Sequence, residues 1–223
     1  MQTNVAARGL VRSGWMLDQG TLDRLWNFGD PAASEARFRA AMIEDIYDPD
    51  ERAELATQLG RAISLQGRFE EADALLDGID GDEPTVGVRI LLERGRVLNA
   101  GGHPAMAVPL LEQAAELADH LGEDFIAVDA LHTLSSADAA HAESWLRSAL
   151  EYASTAHDDR SKRWMIVLHT RLGWFLHGNG RFTEAMVEFQ LAEQWAERLG
   201  TERQRELARE AITECGKALA EGP

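Results

Sequence analysis

From about residue 21 to the C-terminus, apolar residues recur every three to four positions in run after run. Alternating runs rich in β-branched residues are almost absent. A spacing of three to four places apolar side chains on one face of an α-helix, whereas alternation would mark a strand. The pattern predicts helices over 21–28, 29–45, 48–66, 70–79, 88–100, 105–122, 123–137, 139–156, 163–179, 183–200 and 202–222. Asp30 before Pro31 is a start signal, because an Asp N-cap accepts from a free helix N–H and Pro needs no N–H in the first turn. Short polar breaks separate the helices, among them "DGDEPT" at 80–85, "GGHP" at 101–104 and "HDDRSK" at 157–162.

One break is written twice. "GRFEEA" covers 67–72 and "GRFTEA" covers 180–185, 113 residues later. Each copy lies between two helical stretches, so it reads as the turn of an antiparallel helix pair plus the first turn of the second helix. The small residues Ala72, Ala107, Ala142 and Ala185 follow at intervals of 35, 35 and 43. Periods of this size are the signature of a helical solenoid.

These residues resemble the tetratricopeptide repeat (TPR) family of bacterial proteins, whose period is about 34. The unit near Ala53 carries Leu59, Gly60, Ile63, Gly67, Phe69, Ala72, Leu76 and Ile79, where a small residue is usual in place of Ile79. The unit near Ile166 carries Leu172, Gly173, Leu176, Gly180, Phe182, Ala185, Phe189 and Ala192. The unit near Ile90 keeps Gly95, Leu98, Gly102, Ala107, Leu111 and Ala114, with Arg94 and Pro104 as departures. The unit near Phe125 keeps Leu131, Ala142, Leu146 and Ala149, has His132 for the first Gly, and lacks the turn Gly. Ser34, Phe38 and Ala41 suggest a diverged unit upstream. The resemblance implies an all-α, right-handed helical-hairpin solenoid of about four units. Its organisation would be a tail over 1–20, a repeat array over 21–200, and a C-terminal capping helix over 201–223 that lays Leu207, Ala211, Ile212 and Leu219 on the last unit.

A mid-helix Gly costs about 1 kcal/mol against Ala, so Gly60, Gly95 and Gly173 imply a recurring gain. We expect close approach of the paired helix there, with Ala72, Ala107, Ala142 and Ala185 as the facing small residues. Gly67, Gly102 and Gly180 are expected to end the first helices in a left-handed conformation.

Composition narrows the function classes. The 223-residue chain carries a net charge of −16 and has 20 Arg but only two Lys. Nucleic acids and anionic membranes usually require a basic patch, and no Lys/Arg-rich run exists, so neither partner is expected. The single Cys215 allows no intrachain disulfide and is expected to be a packing residue. No signal-peptide core or membrane-length apolar run appears, which points to a cytoplasmic protein. There is no zinc-spaced His/Cys set, EF-hand, P-loop or nucleophile elbow. No catalytic residue, metal or cofactor is therefore expected.

In TPR proteins the first helix of each hairpin lines a concave groove, and the resemblance assigns such positions here. They are Glu54, Thr57, Arg61 and Ser64 in one unit, and Arg89, Leu92, Arg96 and Asn99 in the next. Ile126, Asp129, Thr133 and Ser136 follow, then Val167, Thr170, Trp174 and His177. Each set shares one helical stripe. The binding candidates are Arg61, Arg89, Arg96, Asn99, Asp129, Thr170, Trp174 and His177. Clustered arginines can grip a carboxylate or phosphate, unless acids of the chain neutralise them first, and Trp174 can wall an apolar side chain. The expected function is a non-enzymatic module holding a peptide, protein segment or anionic small molecule. A peptide-responsive regulator and an accessory protein or enzyme of a bacterial biosynthetic pathway are the alternatives.

Overall fold

The computed structural model describes residues 17, 19–80 and 83–221. The expected 1–20 tail lies almost wholly outside the described residues. Among those described, the regular structure is entirely helical. The chain divides into two compact units between Val86 and Gly87.

The first unit contains α1 (Gln19–Leu25), α2 (Pro31–Met42), α3 (Pro49–Ser64) and α4 (Phe69–Asp77). Asp30 caps α2 by accepting from the Ala33 N–H at 3.0 Å. Asp48 and Glu51 form a reciprocal capping box at the start of α3, which fixes where the helix begins. The core of this unit gathers Leu22, Phe38, Leu55, Leu59, Ile63, Ala72 and Leu76. Trp26 closes it, packing edge-on against Phe38 and donating from its indole N–H to Gln58 Oε1 at 3.0 Å.

The second unit contains α5 (Pro84–Ala100) from Gly87 onward, α6 (Pro104–Leu121), α7 (Asp124–Ala137), α8 (Ala142–Thr155), α9 (Asp159–Lys162), α10 (Trp164–Gly178), α11 (Phe182–Leu199) and α12 (Glu202–Glu221). The segment expected to be a plain break at 157–162 holds the short α9, capped by Asp158. This extra turn explains why the Ala142–Ala185 interval is 43 and not 35. One core joins α5, α6 and α7, with Leu92, Leu111, Ile126 and Leu134. A second joins α7, α8, α10, α11 and α12, with Leu146, Leu168, Leu172, Phe189 and Cys215.

Gly67 and Gly180 have φ of 75° and 73°, as the hexapeptides required. The mid-helix glycines also admit close approach, but the expected partners need correction. A methyl at Gly60 would lie 2.9 Å from Leu76, one at Gly95 2.5 Å from Leu111, and one at Gly173 2.5 Å from Phe189. The notch is thus filled by the large residue four positions beyond each alanine. Ala72, Ala107 and Ala185 are buried beside it. A side chain of that size needs the room that a missing Cβ supplies.

The capping-helix expectation also changes in detail. Helix α12 packs on α11 through Ala208, Ala211 and Cys215, not through Leu207 and Leu219, which are 44% and 41% exposed. Small residues let the two helices approach closely, and Cys215 Sγ reaches within 3.3 Å of the Phe182 carbonyl oxygen.

Candidate functional site

The first helices of the second unit, α5, α7 and α10, share one polar face. Arg96 on α5 places Nη2 2.5 Å from Asp129 Oδ2 on α7 and Nε 3.3 Å from Glu93 Oε2 on its own helix. Both carboxylates are buried, and the Arg96 side chain is 18% exposed. Burial works against the Arg96 charge, but the attraction of Asp129 and Glu93 outweighs it and holds the guanidinium above its ordinary pKa. Arg96 and Asp129, both candidates, are therefore brought together, and the anion facing Arg96 is supplied by the chain. Glu93 was missed by sequence reasoning because it sits outside the groove stripe, one helical turn before Arg96.

Further along α7, the exposed Ser136 accepts a hydrogen bond from Arg171 Nη2 of α10 at 2.5 Å. Arg171 also escaped the sequence reading, which took Thr170 and Trp174 as the groove residues of that helix. It is exposed and makes no ion pair among the described residues. Three residues on, Trp174 is 38% exposed. Its ring is held edge-on by Phe189 at 4.9 Å and by His177 at 5.4 Å, and His177 in turn meets Phe182 at 5.0 Å. Trp174 and His177 thus stand together, fixed from behind by Phe189 and Phe182 of α11. Thr170 turns its hydroxyl to the Ile166 carbonyl oxygen at 2.7 Å.

The other candidates are distributed differently. Asn99 is half-buried on α5 and Arg89 is buried. Arg61 belongs to the first unit, where its guanidinium lies 5.6 Å from the Trp26 ring and 5.5 Å from the Phe28 ring, within cation–π range. Glu54 and Thr57, assigned to the groove of that unit, are buried, and the Thr57 hydroxyl donates to the Glu54 carbonyl oxygen at 2.7 Å. His169 is a core residue, with Nδ1 2.7 Å from Glu188 Oε2. No group of three or more acidic, His or Cys residues suited to a metal occurs among the described residues.

The repeated hexapeptide supplies a structural feature of its own. Arg68 binds Glu71 three residues on, at 2.8 and 2.5 Å, and Glu35 on the preceding second helix, at 2.6 Å. Arg181 binds Glu184 at 2.8 and 2.7 Å and Glu143 on the preceding second helix at 2.6 Å. Glu35 is also paired with Arg39, and Glu143 with Arg147, each at 2.8 Å. The same four-residue clasp therefore joins successive hairpins in both units. Aligned on Ala142, the third turn places Asp138 where Arg stands elsewhere and His141 where Glu stands. His141 Nδ1 and Asp138 Oδ2 lie 2.8 Å apart. The Trp145 indole and then His141 hold Asp138 below the usual carboxylate range.

No family model matches the sequence, and no curated protein matches it. Solved structures do match in fold. The crystal structure of BtubC (BKLC) from P. vanneervenii superposes with a TM-score of 0.62 at 16% identity, over 89% of this chain and 84% of that one. A putative kinesin light chain of Podosopora anserina with nearly identical TPR-like repeats gives a TM-score of 0.57 at 18% identity, over 78% of this chain and 89% of that one. The fold is that of the TPR-like helical repeats. The glycine notches, positive-φ turn glycines and clasps are how this chain builds its TPR-like hairpins. No described helix is long and apolar enough to cross a membrane.

Proposed function

We propose that the chain is a non-enzymatic TPR-like scaffold that holds a protein segment against the first helices of its second unit. The observation that supports this most is Trp174. A large aromatic ring is left 38% exposed on the polar face and is kept rigid by Phe189 and His177. Rigid, part-exposed aromatics beside an arginine are typical anchors of protein recognition. Arg171, three residues before Trp174 on α10, and its partner Ser136 offer donors to backbone carbonyls or a side-chain carboxylate. Arg96, whose charge Asp129 and Glu93 already balance, organises the face and does not itself capture an anion. The reading therefore favours a peptide with an apolar anchor over a small polyanion. Solenoid grooves are the usual interaction surfaces of repeat proteins.

The test is selection of peptides from a displayed library on the full chain, followed by affinity measurements with Trp174→Ala and Arg171→Ala. The proposal expects selected peptides to lose at least tenfold in affinity on Trp174→Ala, measured at a temperature where circular dichroism shows the variant still folded. Selected peptides that bind wild type and Trp174→Ala equally would refute it.

A further inference from the structure

The two copies of the hexapeptide turn differ in the residue that precedes them. Gln66 stands before Gly67, and Asn179 stands before Gly180. Of the four asparagines in the chain, only Asn179 is followed by glycine. The distinction is chemical. The backbone nitrogen after an asparagine can attack the side-chain Cγ and close a five-membered imide, and a glycine there has no side chain to hinder the attack. After a glutamine the ring would have six members, and it closes far more slowly. Asn179 and Gly180 are both exposed, so water and hydroxide reach them.

The closed turn ties down both reacting groups. The Gly180 N–H, whose nitrogen is the nucleophile, donates to the His177 carbonyl oxygen at 3.0 Å. The Asn179 amide, which carries the electrophilic carbon, donates from Nδ2 to the Phe175 carbonyl oxygen at 2.7 Å. The other turn is built alike. Its Gly67 N–H donates to the Ser64 carbonyl oxygen at 2.9 Å, and Gln66 Nε2 donates four residues back to the Ala62 carbonyl oxygen at 3.0 Å. One of two equivalent turns therefore carries the reactive pair. That turn is also the looser one. Gly178, the last residue of α10, stands where the other turn has Leu65, and a glycine gains more backbone freedom when a turn opens.

We propose that Asn179 is a site of spontaneous deamidation, set off by opening of the α10–α11 turn, and that its products loosen that turn. Opening frees the Gly180 nitrogen from His177 and the Asn179 amide from Phe175. Hydroxide takes the Gly180 N–H proton, the N–Cγ bond forms, the Cγ–Nδ2 bond breaks, and ammonia leaves. Water then opens the imide at either carbonyl and gives aspartate or isoaspartate, with no change of oxidation state. In the aspartate product a carboxylate faces the Phe175 carbonyl oxygen to which the amide donated. It does so at the partially negative C-terminal end of α10, where an added negative charge is unfavourable. Isoaspartate in addition lengthens the main chain by one carbon just before Gly180 and Arg181, and Arg181 clasps Glu143 and Glu184 from that turn.

The test is peptide mapping by mass spectrometry on the full chain held at mildly alkaline pH, beside a synthetic peptide of residues 172–187 under the same conditions. Asn179 should convert to aspartate and isoaspartate in both. The folded chain should react at least tenfold more slowly than the peptide, because only molecules with the turn open can react. Gly178→Ala should slow the chain further, since a methyl there meets nothing within 4 Å and the fold accepts it. Asn179→Gln, which copies the other turn, should yield no product at this position. Asn179→Asp, which reproduces one product, should melt below wild type at neutral pH. Equal rates in chain and peptide would overturn the proposal, as would no product in the folded chain after about a hundred peptide half-times. An Asn179→Asp chain that melts at the wild-type temperature would overturn the loosening of the turn.

Discussion

Arg181 and Glu143 are joined at 2.6 Å across successive hairpins, and Arg68 and Glu35 are joined at the same distance in the other unit. In each case one guanidinium holds two carboxylates at once, one in its own turn and one on the hairpin before. Glu184 and Glu143 raise the Arg181 pKa, and Arg181 and then Arg147 lower that of Glu143. Exposed pairs contribute little singly, but a bidentate network with ideal geometry contributes measurably. Arg181→Ala should lower the melting temperature modestly at low salt, and the deficit should shrink as salt screens the pairs. Equal melting temperatures for the variant and wild type at low salt would show that the clasp does not bind the hairpins together.

The same clasp predicts a pH dependence. The folded-state pKa of Glu143 is depressed below its ordinary 4.5, so the folded state binds fewer protons than the unfolded chain. Its contribution is then fully present above about pH 4.5 and is lost as pH falls through the depressed folded value. Glu35 behaves alike: burial pushes its pKa up, but hydrogen bonds from Gln66, Arg39 and Arg68 outweigh that and lower it. Thermal melts of wild type and Glu143→Gln should differ at pH 7 and converge as pH drops well below 4.5. A difference that persists unchanged through the acid range would assign the effect to something other than the Glu143 charge.

Gly173→Leu tests the notch. A methyl alone would fall 2.5 Å from Phe189 Cε1, and overpacking of this kind costs about 1–3 kcal/mol. Phe189→Ala should be destabilising by itself and should partly relieve Gly173→Leu, because the two compete for one space. Strictly additive losses in the double variant would argue against that contact.

The hairpin periodicity was legible because mid-helix Gly, turn Gly and the small-to-large pair repeat at fixed offsets along one stretch of chain. The clasp was not. Its local half, Arg and Glu three apart, is visible in the hexapeptides, but its other half lies 33 residues before Arg68 and 38 before Arg181. The unequal separations reflect the insertion that contains α9, so no constant period exposes the pair. Arg96 had the opposite difficulty. The sequence placed Arg96 and Asp129 on neighbouring stripes, yet stripes do not say whether a guanidinium faces a ligand or a carboxylate of its own chain. Arg171 fell between two assigned positions, although it shares a helix face with Trp174 at three residues' spacing.

Arg96→Ala should behave as loss of a structural cation. It would remove the guanidinium that Asp129 and Glu93 share, and breaking a buried pair from one side costs about 3–5 kcal/mol. Asp129→Asn together with Arg96→Gln should recover part of that loss. A stable Arg96→Ala chain with impaired peptide capture would instead make Arg96 a ligand contact.

The most direct measurement is hydrogen exchange on the full chain with and without a peptide selected on it. The account predicts slowed exchange in peptides covering residues 133–137 and 168–178, around Ser136, Arg171 and Trp174. Segments of α6 and α11 on the far side of the hairpins should exchange unchanged. Protection confined to those second helices, with none around Trp174, would contradict it.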